Sequence, residues 1–424
     1  MLKRFGNVEY IEVDDPKILQ AAVPIATSNR YSSDLHYWIK VMSGEDVNTV
    51  PGTESTVARY FGKPDEFLAR LRKWHHYVPF EFGKEAVMVE GSRWLAMFMW
   101  YHVNRFRDVI LGGLEMSLRR TTASDYVHVN NEIDAFYQKA GTLYKEAIKS
   151  GVPYQEARRI LPLNTKTYVV FAYVPRSLNK LKNAVEKSAQ NFESKEFSRT
   201  AKNLESLLDM DLDEYPSEIL TLNNDFSTRN FRKSLVEEHK LENDFGTYYS
   251  FTVPMSVLSF HQMIRERLIK LDVNIADSVH DKRIILAPEL DALREDYLEL
   301  FDLAAGMQDK FWDNKDYVYA LVLGQVLYPT IHMDDHGARK LFRTRLCKGA
   351  VQPEIYTISS FLHDHLGLDI KQYGPSCITE GVCREPNWVF DTCITRTRSY
   401  FEKWANEIKT ALSSNAHWKY PLEK

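Results

Sequence analysis

Cysteine is scarce in this chain: 4 occur in 424 residues, three of them close together at Cys377, Cys383 and Cys393. So sparse a set excludes a disulfide framework and reads as the reduced thiols of a cytoplasmic protein. Long apolar runs are missing too, and no stretch approaches the roughly 20 residues a membrane span needs. The opening Met1-Leu2-Lys3-Arg4-Phe5-Gly6 soon turns polar and acidic, so no signal peptide is expected. Nor is there a large excess of either charge. A net charge of −4 argues against a broad nucleic-acid-binding face but leaves room for one local cationic pocket.

What is present is material for a large core. Hydrophobic residues make up 44% of the chain, and its length accommodates two units of roughly 200 residues each. The 23 tyrosines and 22 phenylalanines read first as core, and only with suitable geometry as a stacking wall for a planar ring.

Hydrophobic periodicity gives a coarse order of elements. Strands are expected near 7–13 and 85–90. Helices are expected at 17–28, 92–107, 130–150, 154–161 and 176–206, with 44–64 as loop. The acidic stretch Asp209-Met210-Asp211-Leu212-Asp213-Glu214, followed by Pro216, is the expected join between units 1–208 and 209–424. Beyond it a strand is expected near 247–253. Helices follow at 255–270, 288–308, 315–327, 336–347, 352–366 and 396–413. Strands mixed with helices in both halves predict an α/β (α+β) unit present twice.

One theme recurs across the halves. The first carries Arg105-Phe106-Arg107, then Glu115-Met116-Ser117-Leu118-Arg119, then Gly151-Val152-Pro153 and Ala157-Arg158-Arg159-Ile160-Leu161-Pro162. The second carries Arg265-Glu266-Arg267 and, later, Phe342-Arg343-Thr344-Arg345-Leu346-Cys347. Guanidinium groups two residues apart on a helix point about 200° apart, so such a pair suits a helix end that reaches different groups in different directions.

These segments resemble those of the flavin-dependent thymidylate synthases. His76-Tyr77-Val78-Pro79-Phe80-Glu81 is similar to the family's His-x-x-Pro-Phe-Glu. Arg105-Phe106-Arg107 with Glu115-x-Ser117-x-Arg119 is similar to its Arg-His-Arg signature. The run from Gly151 to Leu178 is similar to the segment that follows, and Gly374-Pro375-Ser376-Cys377 to a cysteine-bearing tail. The resemblance touches roughly 74–195 and 245–393, and departs from the pattern where Phe106 and Glu266 stand in place of the central histidine.

The resemblance implies two tandem units forming an internal pseudo-dimer, two chains of which restore a four-unit assembly as a homodimer. It implies one-carbon transfer and reduction at C5 of a uracil nucleotide, with FAD as cofactor and NADPH and methylenetetrahydrofolate as reductant and carbon donor. The nucleotide would be held by Glu115, Ser117, Arg119, Arg158 and Arg345, and the flavin by His76, Arg105, Arg107, Arg176, Arg265 and Arg267. The second half has Leu321 where the first has Arg158, and His336 where it has Arg176; the first half has Val185 where the second has Arg345. The halves therefore look complementary, and one hybrid site per chain is expected. The alternative is a non-catalytic descendant that binds a nucleotide or flavin.

Two metal readings stand beside this. His332-Met333-Asp334-Asp335-His336 would put two imidazoles on one helical face, against the plainer reading of a capped helix start. Four thiolates could hold zinc, although spacings of five and nine residues are unlike a Cys-x-x-Cys knuckle.

Overall fold

The computed structural model describes residues 1–29, 31–74, 76–105, 113–117, 125–191, 193–209, 241–243, 246–266, 268–349, 352–381, 383 and 387–412. The expected join between units lies outside them but for Asp209. Eleven strands occur among these residues: β1 (Leu2–Phe5), β2 (Val8–Glu12), β3 (Glu85–Ser92), β4 (Gly113–Glu115), β5 (Lys166–Ala172), β6 (Leu241–Asn243), β7 (Gly246–Thr252), β8 (Met255–Ser256), β9 (Lys270–Asp272), β10 (Val326–Leu327) and β11 (Thr330–Asp334). They form a mixed α/β protein with antiparallel sheets.

The larger sheet runs β1-β2-β3-β5-β4, a second runs β6-β7-β11-β9, and β8 pairs with β10. Without β1, the first sheet visits its strands in the same order as the second. Register matches as well: Met88 faces Val170 and Val170 faces Leu114 in one, as Thr252 faces Thr330 and Thr330 faces Asp272 in the other.

Alternation along the first sheet explains how it is covered on both faces. Val87, Val89, Val169 and Phe171 point into the main core, while Ala86, Met88, Tyr168 and Val170 point into a separate cluster. That second cluster is closed by the helices Pro16–Ser28 and Leu35–Ser43. The main core is continuous across both halves, from Val8 to Ile408.

The halves are also joined through backbone. Leu163 N–H donates to Leu321 O, and Leu323 N–H to Leu161 O, both at 2.9 Å. Gly324 N–H donates to Arg159 O at 3.0 Å, and the Tyr297 hydroxyl donates to the same carbonyl at 2.7 Å. A Cβ on Gly324 would lie 2.2 Å from that hydroxyl, so the close approach requires glycine here.

This pairing corrects the expected helix over 315–327. Its apolar residues form a turn at Asp316–Ala320 and then extended chain, because the N–H groups of Leu323 and Gly324 are bonded to the other half. The helix expected over 255–270 is likewise shorter, Val257–Met263, and Lys270 already belongs to β9. The 176–206 pattern divides into Pro175–Asn191 and Lys195–Leu208, with Glu193 at φ 50° and Ser194 capping the second helix. The supposed loop 44–64 contains the helix Glu54–Tyr60.

Candidate functional site: a carboxylate shared between halves

The helix Arg93–Arg105 begins where β3 ends. Ser92 Oγ accepts from Leu95 N–H at 3.0 Å, and Glu196 accepts from the Ser92 amide at 2.6 Å and hydroxyl at 2.8 Å. The helix Val257–Met263 begins the same way. Ser256 Oγ accepts from Ser259 N–H at 3.1 Å, and Glu354 accepts from the Ser256 amide at 2.7 Å and hydroxyl at 2.8 Å.

Each of these glutamates also takes a donor from the opposite half. Tyr319 Oη reaches Glu196 at 2.9 Å, and Arg159 Nη1 reaches Glu354 at 2.5 Å. Arg159 is wholly buried. Its Nε bonds Glu156 at 3.0 Å, and its guanidinium lies 4.7 Å from the Trp404 ring centroid. Burial alone would lower its pKa, but Glu354 and Glu156 outweigh that and raise it.

Between the two helices lies Glu115, at the end of β4, with a side chain shut off from solvent. Arg93 Nη1 donates to its Oε1 at 2.5 Å; Trp100 Nε1 donates to Oε2 at 3.1 Å, and His261 Nε2 lies 2.8 Å from the same oxygen. Arg265 Nη2 also donates to Oε2. The first two partners come from the helix Arg93–Arg105, the last two from the helix Val257–Met263 and the turn after it. A Cβ on Gly113 would sit 2.8 Å from the Phe171 ring and 3.0 Å from the Trp100 indole, so glycine leaves room for both rings beside Glu115.

Burial alone would push the Glu115 carboxyl up. His261, Arg265 and Arg93 outweigh it and hold the carboxyl well below its ordinary range. Burial pushes His261 down to about 4 against the pull of Glu115. At neutral pH the imidazole is therefore neutral and donates through Nε2–H. With Arg93 and Arg265 charged, the cluster carries one surplus positive charge.

Three buried guanidinium Nε atoms in this region have no hydrogen-bond partner: those of Arg93, Arg265 and Arg345. Arg345 Nη2 donates to the Gln262 carbonyl at 3.1 Å and pairs with Glu266 at 2.5 Å, at the same end of the helix that carries His261. Surplus charge together with unmatched N–H groups suits an anionic ligand with several acceptor oxygens.

Other expected site residues are dispersed. Ser117 donates its backbone N–H to Thr27 O at 2.7 Å. Arg158 is buried, and its Nε donates to Gln155 O at 3.0 Å. Arg176 is exposed at the start of the helix Pro175–Asn191, and His76 is exposed with its ring edge-on to Trp74. The side chain of Arg105 and all of Phe106, Arg107, Arg119 and Arg267 lie outside the described residues. Arg339 and Arg343 face the tail, bonding Asp335 and Tyr373, and Ser376 and Glu380 respectively, while Arg345 turns inward.

The sequence expectation omitted Arg93, Trp100 and His261 from the Glu115 cluster, and Arg159, Glu156 and Glu354 from the second one. One signal is present: Arg93 directly precedes the apolar run Trp94–Tyr101, and a charge at the start of so apolar a helix implies a buried partner.

The metal reading of His332 and His336 loses its premise. His332 is on β11, 3.0 Å from Ser250 Oγ and 3.4 Å from Asp272, whereas His336 is on the following helix. Asp334 caps that helix by accepting from Gly337 N–H at 2.7 Å. Among the described residues no three His, Cys, Asp or Glu side chains gather as a metal site, and no helix is long and apolar enough to cross a membrane.

No protein-family model matches the chain, and no characterised protein matches it.

Proposed function

We propose that the chain is a flavin-dependent thymidylate synthase-like protein built of two tandem units, with one hybrid pyrimidine-nucleotide site at their junction. The observation that carries this reading is the clasp of Glu115 by His261 and Arg265. It joins the Glu-x-Ser-x-Arg segment of one half to the Arg-x-Arg segment of the other. The shared strand order and the repeated Ser–Glu helix start support the tandem arrangement.

The reaction proposed is one-carbon transfer and reduction at C5 of a uracil nucleotide. The donor set fits a phosphate-bearing ligand, because the Nε atoms of Arg93, Arg265 and Arg345 are buried without acceptors. Among the described residues, Arg265, Arg176 and His76 would hold the flavin, which when bound supplies the hydride. Arg345 and Arg158 would meet the nucleotide phosphate, with Glu115 fixing the direction of Arg265. Two chains would associate as a homodimer; light scattering at the 49.4 kDa of one chain would contradict that part of the proposal.

A second reading, a nucleotide- or flavin-binding protein without the parent reaction, is favoured by one observation. Glu266 stands where the family carries histidine, and it neutralises Arg345. Absorbance near 450 nm, with mass spectrometry of ligand released from freshly purified protein, separates the two. Bound flavin supports the enzyme. A colourless protein whose melting temperature rises with dUMP supports the binder.

A further inference from the structure

The turn after the helix Val257–Met263 holds two neighbouring residues of opposite charge, and each is matched by a group from elsewhere. Arg265 is bound to Glu115, and Glu266 is bound to Arg345. The two carboxylates differ in their access to solvent. Glu115 is sealed from solvent among five donors, Thr167 Oγ1 at 3.5 Å being the most distant. Glu266 keeps 12% side-chain exposure, faces Arg345 at 14%, and accepts from Thr344 Oγ1 at a long 3.3 Å.

A guanidinium meets a carboxylate best through two parallel N–H bonds. Here the Nε of Arg345 stays buried without a partner, as does that of Arg265. A phosphate monoester has three terminal oxygens and nearly two charges, so it can bond Nη and Nε together where the carboxylate leaves Nε unmatched. Arg345 without any counter-anion would be costly at this depth, which gives Glu266 a purpose in the ligand-free protein.

We propose that Glu266 is a displaceable internal counter-anion: it occupies Arg345 until a phosphate monoester arrives, and yields the guanidinium to it. This deepens the nucleotide reading above and rests on it. Binding is then an exchange of carboxylate for phosphate, in which Glu266 swings toward solvent. The exchange lowers affinity for every ligand, and it excludes monoanions, which cannot outbid a carboxylate already in place. Glu266 thereby determines specificity for dianionic ligands.

The test is isothermal titration of the full chain with dUMP and, separately, with inorganic phosphate. Wild type, Glu266→Gln, Glu266→Asp and the double variant Glu266→Gln/Arg345→Gln are compared. Removing a competing charge should tighten binding of both ligands about tenfold in Glu266→Gln. The gain should be smaller in Glu266→Asp, which also reports if the glutamine variant does not fold, and it should vanish in the double variant. Unchanged or weaker binding in Glu266→Gln, with dUMP still binding wild type, overturns the exchange and leaves the nucleotide reading intact. Tighter phosphate binding with dUMP no better than phosphate upholds the exchange and removes the nucleotide. No binding of either ligand to any variant overturns both.

Discussion

Glu115 and His261 stand 146 residues apart in the chain and share a 2.8 Å hydrogen bond in a site closed to water. That bond ties the edge strand β4 of the first sheet to the helix that follows β8. Arg93 and Trp100 approach from one side and Arg265 from the other, so the carboxylate is where the two halves meet chemically as well as spatially.

Removing the carboxylate strands the buried Arg93 guanidinium in a low-dielectric site and leaves the partly exposed Arg265 without its partner. Glu115→Ala should destabilise the protein by about 3–5 kcal/mol, the usual cost of leaving a buried ionic partner alone. Glu115→Gln retains the shape and one acceptor and should cost less. Urea unfolding of both variants measures this. Equal, small losses would mean that the cluster does not hold the halves together.

The buried imidazole makes stability depend on pH. His261 titrates near 4 when folded and near its ordinary value of 6.5 when unfolded. Between those values the unfolded chain binds a proton that the native protein does not, so stability falls as pH falls through that window. The fall amounts to roughly 3 kcal/mol by linkage, and the contribution is flat above pH 7. Glu115 acts lower still: its folded pKa is depressed, so its stabilisation is present above about 4 and lost only below that. His261→Gln should flatten the slope between pH 6.5 and 4 and spare the lower one. An unaltered slope in urea titrations across that range would contradict the assignment.

The two Ser–Glu helix starts are alike, but the donors they receive from the opposite half are not. Tyr319→Phe deletes one neutral hydroxyl donor to Glu196 and should cost about 1–2 kcal/mol. Arg159→Met leaves Glu156 and Glu354 buried without their cation and should cost about 3–5 kcal/mol. Melting curves that rank these variants in the opposite order would refute the difference between the two clasps.

Much of the scaffold was legible in the sequence because it obeys local periodicity. The helices Asn131–Lys149, Asp335–Arg345 and Pro353–His365 fall within two residues of their expected bounds. Elements decided by distant partners were not legible. Leu321, Val322 and Leu323 look helical as an apolar run, yet their backbone pairs with Leu161, Pro162 and Leu163. The site divides along the same line. Glu115, Arg265 and Arg345 are legible through motif resemblance, but the pairing of Glu115 with Arg265, and the charges of Arg93 and Glu266 beside them, are not. Nothing near Arg345 in the chain announces that Glu266, 79 positions earlier, will sit 2.5 Å away.

The claim on which the account depends is that both halves contribute to one anion site. Calorimetric titration of the purified chain with dUMP counts such sites directly. One nucleotide per chain, lost in Arg158→Gln of the first half and in Arg345→Gln of the second alike, is the expected result. Saturation at two per chain, or undiminished binding in either variant, would contradict it.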